Sequence, residues 1–429
     1  MPVSTVQDIA GSSESFQQEI GQVVGRLRAA LMEVLQVAGE IKRSRDVQDR
    51  LGLNVTLSWH LYRILNITEN IIEICPHIPS AGMMQKLLAA AARQGASKES
   101  MTALSEAHTR FEAMVESYVG DREGFNAIAS RLMGREAQAQ IEAVHRQAAF
   151  ECERYVWGLD LHLSVTGEIF GPLLPGQPDQ SVVVNLKRSL RRLSFNQNFA
   201  ITKSSIRKSD VDEFEKHPVS RPLNSAAFEK YGISILPTFC STLDLPLKRF
   251  ESGETIVTEW VGESLGKPSS VDIATGEIVT NRTLDFEITQ CDSIRYVRAS
   301  TFGIPTRQHF YDILVHRPTR GLLSPSISRW GHSMDRPSQL YPLEAMGLPQ
   351  LACHDRFAMV GTGRDAAYLA EAPQYSKMVQ YACDTMGWNL AEMDIYRVCF
   401  DFPLMHTLNA TTLDFPPRTP VGAGFTDIR

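Results

Sequence analysis

Two hydrophobic periods divide this chain. From residue 15 to about residue 165, apolar side chains recur every three or four positions; beyond residue 180 they alternate or gather in short β-branched and aromatic runs. The first spacing lays apolar groups along one face of a helix, and the second lays them on one face of a strand. Separate blocks without regular βα alternation predict an all-α domain followed by a mixed α+β domain rather than a doubly wound fold. Between the blocks lies GPLLPGQPDQ, residues 171–180, whose prolines and glycines mark it as the expected linker. The expected organisation is therefore an all-α domain over 1–170, a linker over 171–180 and an α+β domain over 181–429. A chain of 429 residues is too long for one ordinary core, which fits this division.

In the first block, Ile20, Val24, Leu27, Leu31, Leu35 and Val37 trace one helical stripe. Ser97 and Asp121 stand where N-caps belong, and a last long helix is expected from Arg135 to Leu163. In the second block, Thr255–Val261, Val271–Val279, Ile294–Thr301 and Gln308–His316 read as strands. VDIATGEIV, with Thr-Gly at its centre, reads as a hairpin. PQYSKMVQYACDTMGWN reads as an amphipathic helix leading into the strand DIYRVCFDFPL.

Apolar content of 43% with 21% charged residues describes a globular chain, and no apolar run reaches the 18 residues a membrane span needs. Seven dispersed cysteines without a C-x-x-C pair, and a start without an apolar leader, predict reduced thiols and a cytoplasmic location. No G-x-S-x-G or H-E-x-x-H motif occurs, so no catalytic residue, cofactor or metal is implied. Gly361-Thr-Gly-Arg364 could cradle an anion, but it lacks the third glycine and the lysine of phosphate-binding loops. His309, His316, His332 and His354, near Asp312, Asp335 and Asp355, lack metal-ligand spacing, and His309 and His316 would leave one strand on opposite faces. Trp330, Tyr341, Tyr375, Trp388 and Tyr396 could line a ligand pocket or fill a core. An enzyme sited near Gly361–Arg364, and an interaction scaffold without chemistry, therefore stand as alternatives to a DNA-binding protein.

DNA enters through RSRDVQDRLGLNVTLSWHLYRIL, residues 43–65. Val47 and Leu51 lie one turn apart, Gly52 can take the left-handed turn, and Asn54 or Thr56 can cap a second helix. Leu57, Leu61 and Ile64 form the inner stripe of that helix. This leaves Ser58, Trp59, His60, Tyr62 and Arg63 outward, with Lys42, Arg43, Arg45 and Arg50 as positive charge nearby. Two bundle helices meeting at a glycine would give the same pattern, and residues 1–79 hold 7 basic against 9 acidic side chains.

On these residues the stretch resembles the helix-turn-helix of bacterial transcription regulators, and the helices around it are similar to those of uncharacterised bacterial regulators. Gln48 stands where a small alanine is usual in that motif, and Ser58 where a β-branched residue is usual. The resemblance implies double-stranded DNA as partner, with Arg43, Arg45, Thr56, Ser58, His60, Tyr62 and Arg63 facing it. It also implies a homodimer built on Gln18–Ile41 or Arg135–Leu163, and a second domain that senses a small-molecule or protein effector. Residues 180–209 carry seven basic and no acidic side chains, so Arg188, Arg191 and Arg192 are expected on flanking phosphates or, alternatively, against the protein's own acidic surface.

Overall fold

The computed structural model describes residues 6–174, 179–195, 199–205, 219–244, 246–252, 255–261, 264–280, 286–288, 294–320, 324–331 and 349–415. It divides into two compact units, residues 1–142 and 143–429. Helices dominate the first unit and mixed sheets the second.

In the first unit, α1 (Val6–Leu35) turns Ile20, Val24, Leu27, Leu31 and Leu35 into a shared core. It is followed by α2 (Ser44–Leu51), α3 (Val55–Asn66), a 3-10 turn over Ile71–His77, α4 (Ala81–Arg93), α5 (Lys98–Tyr118) and α6 (Arg122–Ser130). Both expected caps form: Ser97 Oγ accepts from the Ser100 N–H at 3.0 Å, and Asp121 Oδ1 from the Gly124 N–H at 2.7 Å. The rings of Phe111 and Phe125 meet edge to face at 5.5 Å, which locks α5 to α6.

The chain passes from one unit to the other along α7 (Arg135–Trp157). This helix stops short of the expected Leu163. Gly158 takes a φ of 61°, a left-handed stop that costs glycine little, and LDLHLSVT then alternates as β1 (Leu159–Phe170). β2 (Gln180–Arg192) pairs antiparallel with β1 from Phe170↔Ser181 to Leu159↔Arg192. GPLLPGQPDQ therefore joins two neighbouring strands of one sheet and is not a linker between domains, although residues 175–178 lie outside the described residues. Proline and glycine punctuate a chain reversal as readily as a domain boundary.

Along the chain follow β3 (Phe199–Ser205), β4 (Val219–Pro222), α8 (Ser225–Tyr231), β5 (Leu247–Ser252), β6 (Thr255–Trp260), β7 (Val271–Thr280), β8 (Phe286–Ile288), β9 (Ile294–Thr301) and β10 (Thr306–His316). They are succeeded by β11 (Ser324–Gly331), β12 (Gln350–Leu351), β13 (Ala358–Thr362), α9 (Gly363–Ala366), α10 (Gln374–Met386), β14 (Met393–Asp401) and β15 (Thr407–Phe415). The main sheet has the order β13-β14-β10-β1-β2-β7-β4, and a five-stranded sheet has the order β12-β11-β15-β9-β8. β3, β6 and β5 form a third sheet. At the centre of the main sheet β1 runs parallel to β10, from Leu161↔Thr306 to Phe170↔Val315. VDIATGEIV is one unbroken strand, β7, and not a hairpin. Its Gly276 admits Leu223 and Leu236, which a Cβ would meet at 3.0 and 3.1 Å.

One face of the main sheet, with Leu163, Val165, Val182, Val184 and Ile395, is packed by Met378, Val379 and Ala382 of α10. Gly167 keeps the same face open for Tyr375, whose hydroxyl would collide with any Cβ there. Arg397 enters this core because it donates twice to Asp312, Nε to Oδ1 and Nη2 to Oδ2, both at 2.7 Å. On the opposite face Tyr311, Ile313, Val398 and Phe400 pack with Ile327 and Leu413 of the five-stranded sheet. Among the described residues, no helix is long and apolar enough to cross a membrane.

Candidate functional site

The α2–α3 pair forms within residues 43–65. Asp46 reaches back to accept the N–H groups of Lys42 and Arg43 at 2.9 and 2.8 Å, closing the start of α2. These two bonds are the main reason its carboxyl is held below the usual range. Gly52 takes φ 61°, and Asn54, not Thr56, caps α3 through Oδ1 and the Leu57 N–H at 2.8 Å. Val47 and Leu51 on α2, and Leu57, Leu61 and Ile64 on α3, are buried in the core shared with α1. Arg28 of α1 donates to the Leu65 carbonyl at 2.9 Å and holds the far end of α3.

Outward lie Thr56, Trp59 and Arg63, with His60 and Tyr62 half-buried. Ser58, expected on the DNA-facing side, points inward instead: it is 1% exposed and its hydroxyl has no partner. Positions 57, 58, 61 and 64 all fall within the arc of α3 that meets the bundle, because an inner helical face is wider than a strict one-in-four stripe. His60 joins a small aromatic group, with the Trp59 ring at 5.1 Å and His77 Nδ1 at 3.4 Å from its own Nδ1. Burial, then the nearby His60 and Arg63, pushes the His77 pKa down to about 4, and burial lowers that of His60. Arg50 shapes the preceding loop, its Nη1 donating to the Ala38 and Glu40 carbonyls at 2.5 and 2.7 Å. Lys42, Arg43 and Arg45 form exposed pairs with Glu40, Asp46 and Asp49 at 3.4, 3.8 and 3.6 Å. Exposed pairs of this kind are worth little, so phosphate oxygens could replace those carboxylates at small cost.

The basic block turns out differently. Its residues 180–192 are strand β2 in the main sheet and 199–205 are β3 in another sheet, and the three guanidinium groups of β2 are engaged within the protein. Arg191 pairs with the fully buried Asp160, and Arg188 donates to the Glu371 carbonyl. Arg192 is 1% exposed, lies over the Trp260 ring at 5.9 Å and donates to the Phe195 carbonyl at 2.9 Å. Arg191 and Arg192 are thus structural groups of the second unit, not phosphate contacts. Arg207 and Lys208 lie outside the described residues.

Gly361–Arg364 is the turn from β13 into the four-residue α9, tied down by Thr362 Oγ1 donating to Asp394 at 2.7 Å. A helix that short offers no anion site. Of the aromatic residues expected near a pocket, Trp330 and Tyr375 are core, while Tyr341 lies outside the described residues, as do His332 and Asp335. Among the described residues no group of His, Cys, Asp and Glu could hold a metal ion.

The sheet face covered in part by the five-stranded sheet also carries polar side chains. Ser164 on β1 is the register partner of both Lys187 on β2 and His309 on β10. Two residues along, Thr166 partners Asn185 and Tyr311. Directly paired residues point to the same side, so the six side chains form two rows across three adjacent strands. They floor a cavity of about 230 Å³ whose walls include Phe302 and Ile304. Thr166 Oγ1 donates to Asn185 Oδ1 at 2.9 Å, and the Tyr311 hydroxyl donates to Glu168 at 2.5 Å. His309 is 6% exposed, meets the Phe302 ring edge-on at 5.0 Å, and leaves Nδ1 without a partner. Burial, and then the charge of Lys187, pushes its pKa down to about 3, and burial lowers that of Lys187. No protein-family model matches this chain, and no curated protein matches it.

Proposed function

We propose that this chain is a DNA-binding transcription regulator that acts as a homodimer, with the helical unit reading DNA and the second unit sensing a small effector. The observation that carries the reading is α3 itself. It is a capped helix after a left-handed glycine turn, anchored by Leu57, Leu61 and Ile64, with Thr56, Trp59 and Arg63 outward and Tyr62 half-exposed. A second helix held from behind, with hydroxyl, aromatic and guanidinium groups free in front, has what entry into a major groove requires. The phosphate-facing charge is Arg43 and Arg45, together with Lys42, at the start of α2. Arg188, Arg191 and Arg192 have no part in it.

The experiment is genome-wide recovery of DNA bound to the tagged protein, beside an Arg63→Ala variant. Enriched sites that disappear or weaken with Arg63→Ala support the reading, whereas equal and featureless recovery from both overturns it. On a recovered site, the variant should lose about 1–3 kcal/mol of specific binding.

A further inference from the structure

A sheet face that only packs against another sheet is apolar, and this one is apolar wherever Tyr396, Val398 and Phe400 meet Leu413. Beside that contact the same strands present Ser164, Thr166, Asn185, Lys187, His309 and Tyr311 to a cavity. Polar groups drawn out of water cost stability unless something pairs with them. Within the protein Tyr311 has Glu168 and Thr166 has Asn185, yet among the described residues Lys187 has no ion-pair partner and His309 Nδ1 has no hydrogen-bond partner. We infer that this cavity is a binding site for a small organic carboxylate, its charge set against Lys187 and one oxygen within reach of His309.

The register sets the geometry. Lys187, Ser164 and His309 occupy one line across three neighbouring strands, so the outer two backbones are about 10 Å apart, twice the usual strand spacing. Ser164, the smallest of the three, leaves the middle of that line open. A carboxylate lying over Ser164 is thus flanked by an ammonium on one side and an imidazole on the other. The low pKa of His309 keeps the ring neutral at physiological pH, where it offers one N–H to an anion without adding charge. Just beyond Lys187 the strand bulges: Ser189 takes φ 54° and its N–H is held by Asp272 Oδ1 at 2.7 Å. Bulges often re-aim side chains beside binding sites; this one shifts only the β2–β7 pairing, while the β1–β2 register continues unbroken to Arg192. Phe302 and Ile304 supply an apolar wall. A cavity of about 230 Å³ has room for a benzoate-sized or short-chain acid. The inference deepens the sensing half of the proposed regulator and rests on that half alone, since it does not require that α3 bind DNA.

The test uses the full-length chain, with calorimetric titration of sodium benzoate and sodium 2-oxobutyrate, and of benzamide as a neutral isostere. At least one acid should bind with a Kd below about 1 mM while benzamide does not. Lys187→Met should weaken that binding by about tenfold or more, as expected for loss of a charge-assisted contact. Ser164→Leu, which keeps the lysine but fills the floor, should abolish it, so the inference stays testable if Lys187→Met fails to fold. Three results would overturn it: no saturable binding of either acid, benzamide binding as tightly as benzoate, or unchanged affinity in both variants. DNA binding is not read in any arm, so a failure here is distinct from a failure of the α3 reading.

Discussion

At the scale of single residues, the difference between Ser58 and Arg63 separates a buried position from a proposed reading position on α3. Ser58 buries a hydroxyl without a partner, so Ser58→Ala should raise stability by about 1 kcal/mol in urea denaturation and leave DNA affinity unchanged. Arg63 is exposed and should behave in the opposite way. His77 gives the helical unit a pH dependence whose sign follows from its environment. Its folded pKa of about 4 lies below the ordinary 6.5, so the unfolded chain binds the proton more readily. The stability tied to a neutral His77 is complete above about pH 6.5 and is lost as the pH falls toward 4. Melting temperature recorded from pH 7.5 to 4.5 should therefore drop, and His77→Gln should flatten the drop. A His77→Gln curve that falls as steeply as that of the parent protein would assign the acid sensitivity elsewhere.

At the scale of elements, β2 shows why a basic run in sequence is not a basic surface. Replacing Arg188, Arg191 and Arg192 with alanine should leave the slope of log DNA affinity against log salt unchanged, where each lost phosphate contact would flatten it by roughly 0.9. The same triple variant should be clearly less stable, because the buried Asp160 loses its hydrogen-bonded partner Arg191, keeping only the longer contacts to Arg154 and Arg307, and the guanidinium over Trp260 is removed. Alternation and helical spacing announce strands and helices, and they located α10, β6, β9, β10 and β14 to within a few residues, whereas α1 begins and ends earlier than the expected Gln18–Ile41. They say nothing about partners. GPLLPGQPDQ could be read as a reversal only by knowing that β1 and β2 pair, and Gly276 as a strand residue only by knowing that Leu223 and Leu236 press on it. The outward face of α3 was largely legible because a helix's own period decides it, apart from Ser58 at the edge of the buried arc. The cavity was not legible, since Lys187, Ser164 and His309 come from three segments and meet only through sheet register.

At the scale of the whole molecule, the proposed homodimer needs a surface that the fold leaves unused. The apolar stripe of α1 is spent on the core of its own unit. α7 is different: Val144 is 68% exposed and Tyr155 87% exposed, with Ala148 and Cys152 outward between them. These positions recur every three or four residues along one side of the helix, the pattern of a helix-on-helix contact. Val144→Glu combined with Tyr155→Glu should convert a dimer to a monomer in sedimentation velocity while the far-ultraviolet spectrum is kept. An unchanged sedimentation coefficient would remove α7 as the contact.

The parallel pairing of β1 with β10 also governs the order in which the protein can be made. The helical unit's own internal contacts are complete once residue 142 is synthesised, so it can fold while the rest is still being translated. β1 follows almost at once, yet its central neighbour begins only at Thr306, and β14 beyond it ends at Asp401. Until then β1 and β2 have an open edge, with Val165, Val182 and Val184 waiting for a helix that starts at Gln374. Long-range closure of this kind is slow, so a nascent chain stalled between β2 and β10 is the species most exposed to aggregation and most in need of a chaperone.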